Sequence, residues 1–277
     1  MTLSLHRLRE HLRIIATLGW MDFTLKYRWS VLGYLWSLAV PLVQFLVIYH
    51  VFFPFVHSSI PQYPLYLFLG IILWEFFSLT TSACMAMLHQ KEHVIQKIRI
   101  PRLALALAVG WTHVIIFATR FVILLAFIAY VGADLSRGIL YFPVVFAELL
   151  LLSLGIGMFL SAYSLKFRDV PHLWSVLLIM LFWLTPVAYP YHTTSSITAD
   201  AARLVAHGVP LSFTGMLDTF IRFQPLSILL HDARRALLFG EMPTAAHTLG
   251  ILAFCAVVFF LGALIFHRRS RYFIEEY

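Results

Sequence analysis

The stretch QKEHVIQKIRIPR, residues 90–102, decides how this chain is arranged. The apolar run Pro64–Leu88 precedes it and Leu103–Val131 follows, each long enough to cross a bilayer as a helix. Lys91, Lys97, Arg99 and Arg102 have no place in hydrocarbon, so the island faces water between two spans. Four basic residues against the single acid Glu92 put that water on the cytoplasmic side, where short Lys/Arg-rich loops are retained. Val94, Ile95 and Ile98 recur at helical spacing, and Pro101 closes the segment. The expectation is a short amphipathic helix. It is either the receiving point for a partner or a charged turn that only fixes topology.

Composition supports the same frame. Hydrophobic residues make up 61% of the 277 and charged residues 12%, which excludes an ordinary soluble domain and predicts an all-α membrane protein. The net charge of +7 comes from the cytoplasmic edges of spans, so it argues for membrane lipid and against nucleic acid as a partner. Cys84 and Cys255 both lie inside apolar runs and predict no disulfide. Arg7, Arg9, Arg13, Lys26 and Arg28 interrupt the first 30 residues, so no cleavable signal peptide is expected.

Towards the N-terminus, the first span is expected at Gly33–Phe53, about 31 Å as a helix, with Pro41 kinking it. An uncharged outer loop, Pro54–Tyr63, leads to the second span, Pro64–Leu88. Before the first span, Leu5, Leu8, Leu12, Ile15, Gly19 and Phe23 share one helical face among basic residues. Leu5–Tyr27 is therefore read as a helix on the inner membrane surface, or else as a soluble helix packed on a partner.

Beyond the island, the third span is Leu103–Val131, long enough to tilt. The fourth is Tyr141–Leu165, in which Gly155 and Gly157 allow close helix approach. Lys166, Phe167, Arg168 and Asp169 form a tight inner loop before the fifth span, His172–Tyr189. Residues 190–246 contain apolar pieces too short to cross, Leu204–Val209 and Leu211–Phe223, punctuated by Gly208, Pro210, Gly215 and Pro225. Short helices that dip into the outer face and return are expected there. The last span is Thr248–Phe266, closed by His267, Arg268, Arg269 and Arg271. Under this topology the inner segments hold fourteen Lys and Arg residues and the outer segments five, four of which lie in the long loop where the charge rule is weak. Six spans with both termini cytoplasmic, in a single domain, are the expected fold.

One basic residue remains inside a span. Arg120 lies about 11 residues from the outer end of the third span, Glu75 about 11 into the second and Glu148 about 8 into the fourth. Their levels agree within roughly 5 Å. A lone charge at that depth is costly, so Arg120 is expected to pair with Glu75 or Glu148, as a clamp between helices or as a polar wall of a substrate path. His89 and His93, four apart, lack a carboxylate set or an H-E-x-x-H frame, so no metal site is expected. No nucleophile–base grouping is legible either.

The run KYRWSVLGYLWSLAVPL, Lys26–Leu42, resembles the start of the first span in permeases of polysaccharide-exporting ATP-binding-cassette transporters. Tyr27–Arg28, Ser30, Leu32–Gly33, Trp36 and Pro41 fill that family's pattern. The island is similar to its coupling helix, through Val94, Ile95, Lys97 and Pro101, with Lys91 where the family usually has Asn. Arg168–Asp169 matches an Arg-Asp pair after the fourth span, and Gln224–Pro225 resembles an Asn-Pro in the outer loop. The ordered set covers essentially the whole chain.

The resemblance implies a half-transporter. It pairs as a homodimer in the inner membrane of a bacterium and docks two copies of an ATPase subunit, which carry ATP and Mg. It exports lipid-linked polymers of O-antigen, capsule or teichoic-acid type. No G-x-x-x-x-G-K-[ST] occurs here, so ATP must be split by another chain and no cofactor is expected on this one. The ATPase contact then falls on Lys91, Glu92, His93, Val94, Ile95, Lys97, Arg99 and Pro101. Sugar rings rest their C–H faces on aromatic side chains, so Trp29, Tyr34, Trp36, Tyr49, Phe52 and Phe53 are channel candidates. Aromatic residues also gather at membrane interfaces, which is the competing explanation for each. Two other functions compete with polysaccharide export. One is a permease of the same architecture for a small drug or lipid. The other is a membrane-embedded glycosyl- or acyltransferase, whose Asp- or His-centred catalytic loop is not found.

Overall fold

The computed structural model describes residues 2–28, 33–56, 60, 62–90, 101–132, 137–191 and 219–272. Among them the regular elements are helices and no strand occurs. In chain order they are α1 (Thr2–Tyr27), α2 (Leu35–Val56), α3 (Tyr63–Gln90), α4 (Arg102–Val131), α5 (Phe142–Ser164), α6 (Val170–Leu184), α7 (Pro225–Arg234) and α8 (Ala245–Tyr272). A 3-10 turn, Arg137–Leu140, precedes α5, and a π-helical segment, Arg235–Phe239, continues α7.

Among the described residues, five segments are long and apolar enough to cross a membrane: Leu35–Phe55, Tyr63–Gln90, Arg102–Val131, Gly138–Ser164 and Ala245–Arg269. The expected fifth span, 172–189, is shorter than its reading. α6 has 15 residues, about 22 Å of helix against a hydrocarbon core of about 30 Å. Thr185 leaves the helix in an extended conformation, φ −93° and ψ 134°. The cause is local, because Pro186 crowds the residue before it out of the helical region. The third and fourth spans match α4 and α5 within one residue at each end. α2 starts two residues later than expected and runs on through Pro54, with Pro41 also inside it. Most of the island, residues 91–100, lies outside the described residues, as do residues 192–218 of the outer segment.

α3 is the axis of the bundle. Leu65, Leu67, Leu69, Ile71 and Ile72 are fully buried, and so are the polar Thr80 and Thr81 of the same helix. Lipid is as apolar as leucine, so close backbone approach has to supply what burial from water supplies in a soluble protein. The two glycines of α5 provide it in two directions. A Cβ on Gly155 would stand 2.7 Å from the Val258 carbonyl of α8, and one on Gly157 would stand 2.6 Å from Cβ of Cys84 on α3. α1 is held to α4 in the same way. A Cβ on Gly19 would sit 2.7 Å from Cδ1 of Trp111, and the Thr112 hydroxyl donates to the Gly19 carbonyl at 3.0 Å.

Candidate functional site

Arg120 is buried, and its guanidinium joins three helices. Nη1 stands 2.7 Å from Glu75 Oε2 on α3. Nε and Nη2 both donate to the Ser37 carbonyl, at 3.2 and 3.0 Å. Ser37 stands four residues before Pro41 in α2, and because proline has no N–H the Ser37 carbonyl lacks its helical donor and is open to a side chain; the Ser37 hydroxyl itself donates to the Tyr34 carbonyl at 2.7 Å. Each partner suits a buried cation, since the carboxylate balances the charge and the carbonyl takes two of the five N–H donors.

Glu148 does not join this pair. It is buried on α5, with Oε1 lacking a hydrogen-bond partner, and the charges near it are those of Asp232 and His247. Asp232 of α7 is also buried and accepts from His247 Nε2 of α8 at 2.8 Å. Beside them Tyr141 and Thr248 share a hydroxyl hydrogen bond of 2.6 Å. Burial raises the Asp232 carboxyl above its ordinary range, and the His247 hydrogen bond works against that rise. Arg120 and Glu75 thus meet between α2, α3 and α4, while Glu148, Asp232 and His247 form a separate cluster between α5, α7 and α8.

The channel candidates separate by face. Trp36 and Phe53 are exposed, and Trp36 continues into an exposed apolar stripe of Val40, Val43, Val47 and Val51 on α2. Phe52 is half-buried, its ring 6.2 Å from that of Trp183 on α6. α6 carries its own exposed row, Leu173, Leu177, Met180 and Trp183. Tyr49 turns inward and stacks on Phe45 and Tyr63. Tyr34 meets the ring of Phe23 on α1 at 5.6 Å. Trp29 lies outside the described residues, as do Lys91, Glu92, His93, Val94, Ile95, Lys97 and Arg99. Pro101 is exposed just ahead of α4. His89 Nε2 donates to the Ser164 carbonyl at 3.3 Å, tying the inner end of α3 to that of α5.

A third arrangement concerns a residue that the charge pattern assigns to an outer loop. Arg234 is buried at the end of α7. It donates to the carbonyls of Pro186 at 2.6 Å, Val187 at 2.8 Å and Tyr66 at 3.3 Å. Its guanidinium also lies 3.5 Å over the Tyr66 ring. The extended stretch after α6 has free carbonyls because the helix stops at Leu184, and Arg234 satisfies them. Gln224 secures the other end of α7, donating to the Leu184 carbonyl at 2.9 Å and to the Thr185 hydroxyl at 3.1 Å. Next to them His231 stacks on Tyr191, ring centres 4.4 Å apart. Burial, then the charges of Arg235 and Arg234, pull His231 down to about 4, so the stacked ring is neutral at physiological pH. Together these contacts turn the chain back into the bundle at Gln224–Pro225.

Residues 14–215 match the ABC-2 type transporter family. The chain belongs to that family. Among curated relatives, the O-antigen export system permease protein RfbA of Myxococcus xanthus is 25% identical over 97% of each chain. A Klebsiella pneumoniae protein of the same description is 27% identical over 61% of this chain and 65% of its own. The polysialic acid transport protein KpsM of Escherichia coli is 18% identical over 86% of each. The resemblance read from the sequence motifs is therefore shown at the level of the family and of a transport permease.

For this ABC-2 chain, Arg234 is the residue that sequence reasoning missed. A signal for it was present. Leu226, Leu230, Ala233 and Leu237 form one apolar stripe at helical spacing, and Arg234 falls within that register and not on the polar side. Gly70 is the matching signal on α3, since a Cβ there would overlap Nη2 of Arg234.

Proposed function

We propose that this ABC-2 chain is the permease subunit of an ATP-driven exporter that moves a lipid-linked polysaccharide of O-antigen type across a bacterial inner membrane. It works as a homodimer with two separate ATPase subunits, which hold ATP and Mg. α6 completes six passes by pairing its short helix with the chain turned in at Gln224–Pro225, and both termini are cytoplasmic. The island 90–102 receives the ATPase. The observation that carries the reading is end-to-end similarity to an O-antigen export permease, 97% of each chain. The physical support is the exposed face of α2 and α6, where Trp36, Phe52, Phe53 and Trp183 form an aromatic wall that a second copy can face. Such a wall lets sugar rings slide without a single tight site.

The test is deletion of the gene in its host and complementation with the chain and its companion ATPase. Surface polysaccharide should vanish and return, with lipid-linked polymer accumulating inside in the interval. Unchanged surface polymer in the deletion strain, with altered export of a small hydrophobic compound, would replace this reading with the small-molecule permease.

A further inference from the structure

α5 and α8 run side by side in the same direction, and three contacts fix their register. At one end Tyr141 meets Thr248. In the middle a Cβ on Gly262 would overlap the Gly155 carbonyl, so the two backbones touch. At the other end the Arg269 guanidinium lies 4.1 Å over the Tyr163 ring. That register gathers two pairs of cations. Lys166, whose N–H donates to the Tyr163 carbonyl, and Arg168 follow the end of α5, while Arg268 and Arg269 lie in the last turns of α8. All four are exposed, and among the described residues none of them forms an ion pair. Asp169 is an exposed acid beside them. Two exposed apolar ridges lead up to this patch. On α5 the Phe159 ring stacks 4.7 Å from Tyr163, and Phe167 follows one turn later with Lys166 5.5 Å from its ring centre. On α8 Phe260, Leu264 and Arg268 are exposed at four-residue spacing on one face.

We propose that this patch holds the headgroup of an anionic phospholipid from the leaflet at which α5 and α8 end, its phosphodiester between Arg269 and Lys166 and its acyl chains along the two ridges. Three observations carry the assignment. The first is charge. Four cations stand against one acid, which favours an anion and disfavours a zwitterion. The second is continuity. The cations sit at the ends of exposed apolar ridges, so the ligand that uses the whole surface carries an anion and hydrocarbon in one molecule. A free phosphate or an acidic protein surface would use only the charged half. The third is order. Topology alone needs only that positive charge be present. Here the Arg269 guanidinium is held on the Tyr163 ring, which ties one cation pair to the helix that carries the other and lowers the cost of gathering them around a ligand. The site is independent of what the exporter carries, since none of these residues belongs to the aromatic face of α2 and α6.

The experiment uses the full chain, stripped of lipid in detergent and titrated by native mass spectrometry. The probes are dioleoyl phosphatidylglycerol, the zwitterionic dioleoyl phosphatidylethanolamine and glycerol 3-phosphate as the bare anion. Wild type should retain phosphatidylglycerol roughly tenfold more tightly than phosphatidylethanolamine and should not retain glycerol phosphate. Each cation removed should cost about fivefold. Arg268→Gln with Arg269→Gln, and Lys166→Gln with Arg168→Gln, should therefore each weaken phosphatidylglycerol roughly twenty-five-fold and leave phosphatidylethanolamine unchanged. Arg235→Gln, an exposed basic residue at the other end of the bundle, should change neither. The Lys166 and Arg168 variant leaves the contact of Arg269 with Tyr163 in place, so it stands as the test even if losing that contact loosens α8. Equal retention of the two phospholipids by wild type, or wild-type retention by both double variants, overturns the proposal. An equal loss in Arg235→Gln also overturns it, as an effect of bulk charge. Double variants that keep the lipid but lose the ATPase in pull-down overturn it too and give the patch to a protein partner.

Discussion

Arg120→Leu is the substitution with the most to say about how the inner bundle is held. It removes a guanidinium that stands 2.7 Å from Glu75 and donates twice to the Ser37 carbonyl. Arg120 is 4% and Glu75 9% exposed, so water cannot replace the lost partner in full. Breaking such a buried pair from one side costs about 3–5 kcal/mol, much of it from the orphaned charge. At about 2 °C per kcal/mol for a chain of this size, the melting temperature in detergent should fall by roughly 6–10 °C. Adding Glu75→Gln removes the orphan and should recover more than half of that loss. Adding Glu148→Gln should recover nothing, because Glu148 sits with Asp232 and His247. Arg120→Lys should fall between, since an ammonium can reach Glu75 but cannot fork to the carbonyl as well. The assay is a thermal melt of the purified chain for wild type, the two single variants and both doubles. The reasoning fails if Arg120→Leu melts like wild type, or if Glu148→Gln rescues as well as Glu75→Gln.

Three further outcomes are expected. Gly70→Val should act like Arg234→Met, because a branched side chain at 70 displaces the guanidinium from the Pro186 and Val187 carbonyls; each should cost about 3 kcal/mol, read as a lower melting temperature. Ile95→Asp and Lys97→Glu should abolish pull-down of the ATPase while leaving membrane insertion intact; retention of the ATPase by both would remove the coupling role of the island. With Cys84 and Cys255 replaced, a cysteine at Ser58 or Thr194 should react with an impermeant maleimide in intact cells and one at Ser270 should not, labelling at 270 being the outcome that refutes cytoplasmic termini.

What the sequence made legible here was depth, and what it left out was rotation. Hydropathy and basic islands place α4 and α5 to within a residue, because the bilayer allows only one kind of backbone and one range of lengths. The short α6 was equally open to reading, since Pro186 forces Thr185 out of the helix, yet a continuous apolar run hides that stop from a hydropathy window. Arg234 was harder. The charge pattern counts a basic residue by its segment, whereas its burial depends on carbonyls from a turn nearly fifty residues away.

The three intramembrane charges make the distinction sharpest. Arg120, Glu75 and Glu148 share a level, but only two of them meet, because a helix surrounded by neighbours offers several directions at each depth. Glu148 and Gly155 are seven residues apart on α5, two turns that return to nearly the same direction. Gly155 is the residue that touches the α8 backbone, while Gly157, two residues further round, touches α3. The stripe of Glu148 therefore faces α8, where His247 and Thr248 begin the helix and Asp232 closes over them. Glu148 accordingly lies with Asp232 and His247, while Arg120 pairs with Glu75. The pairing was encoded in the register between an acid and a glycine. It becomes readable once each glycine is assigned the helix it admits, which composition and depth alone do not supply.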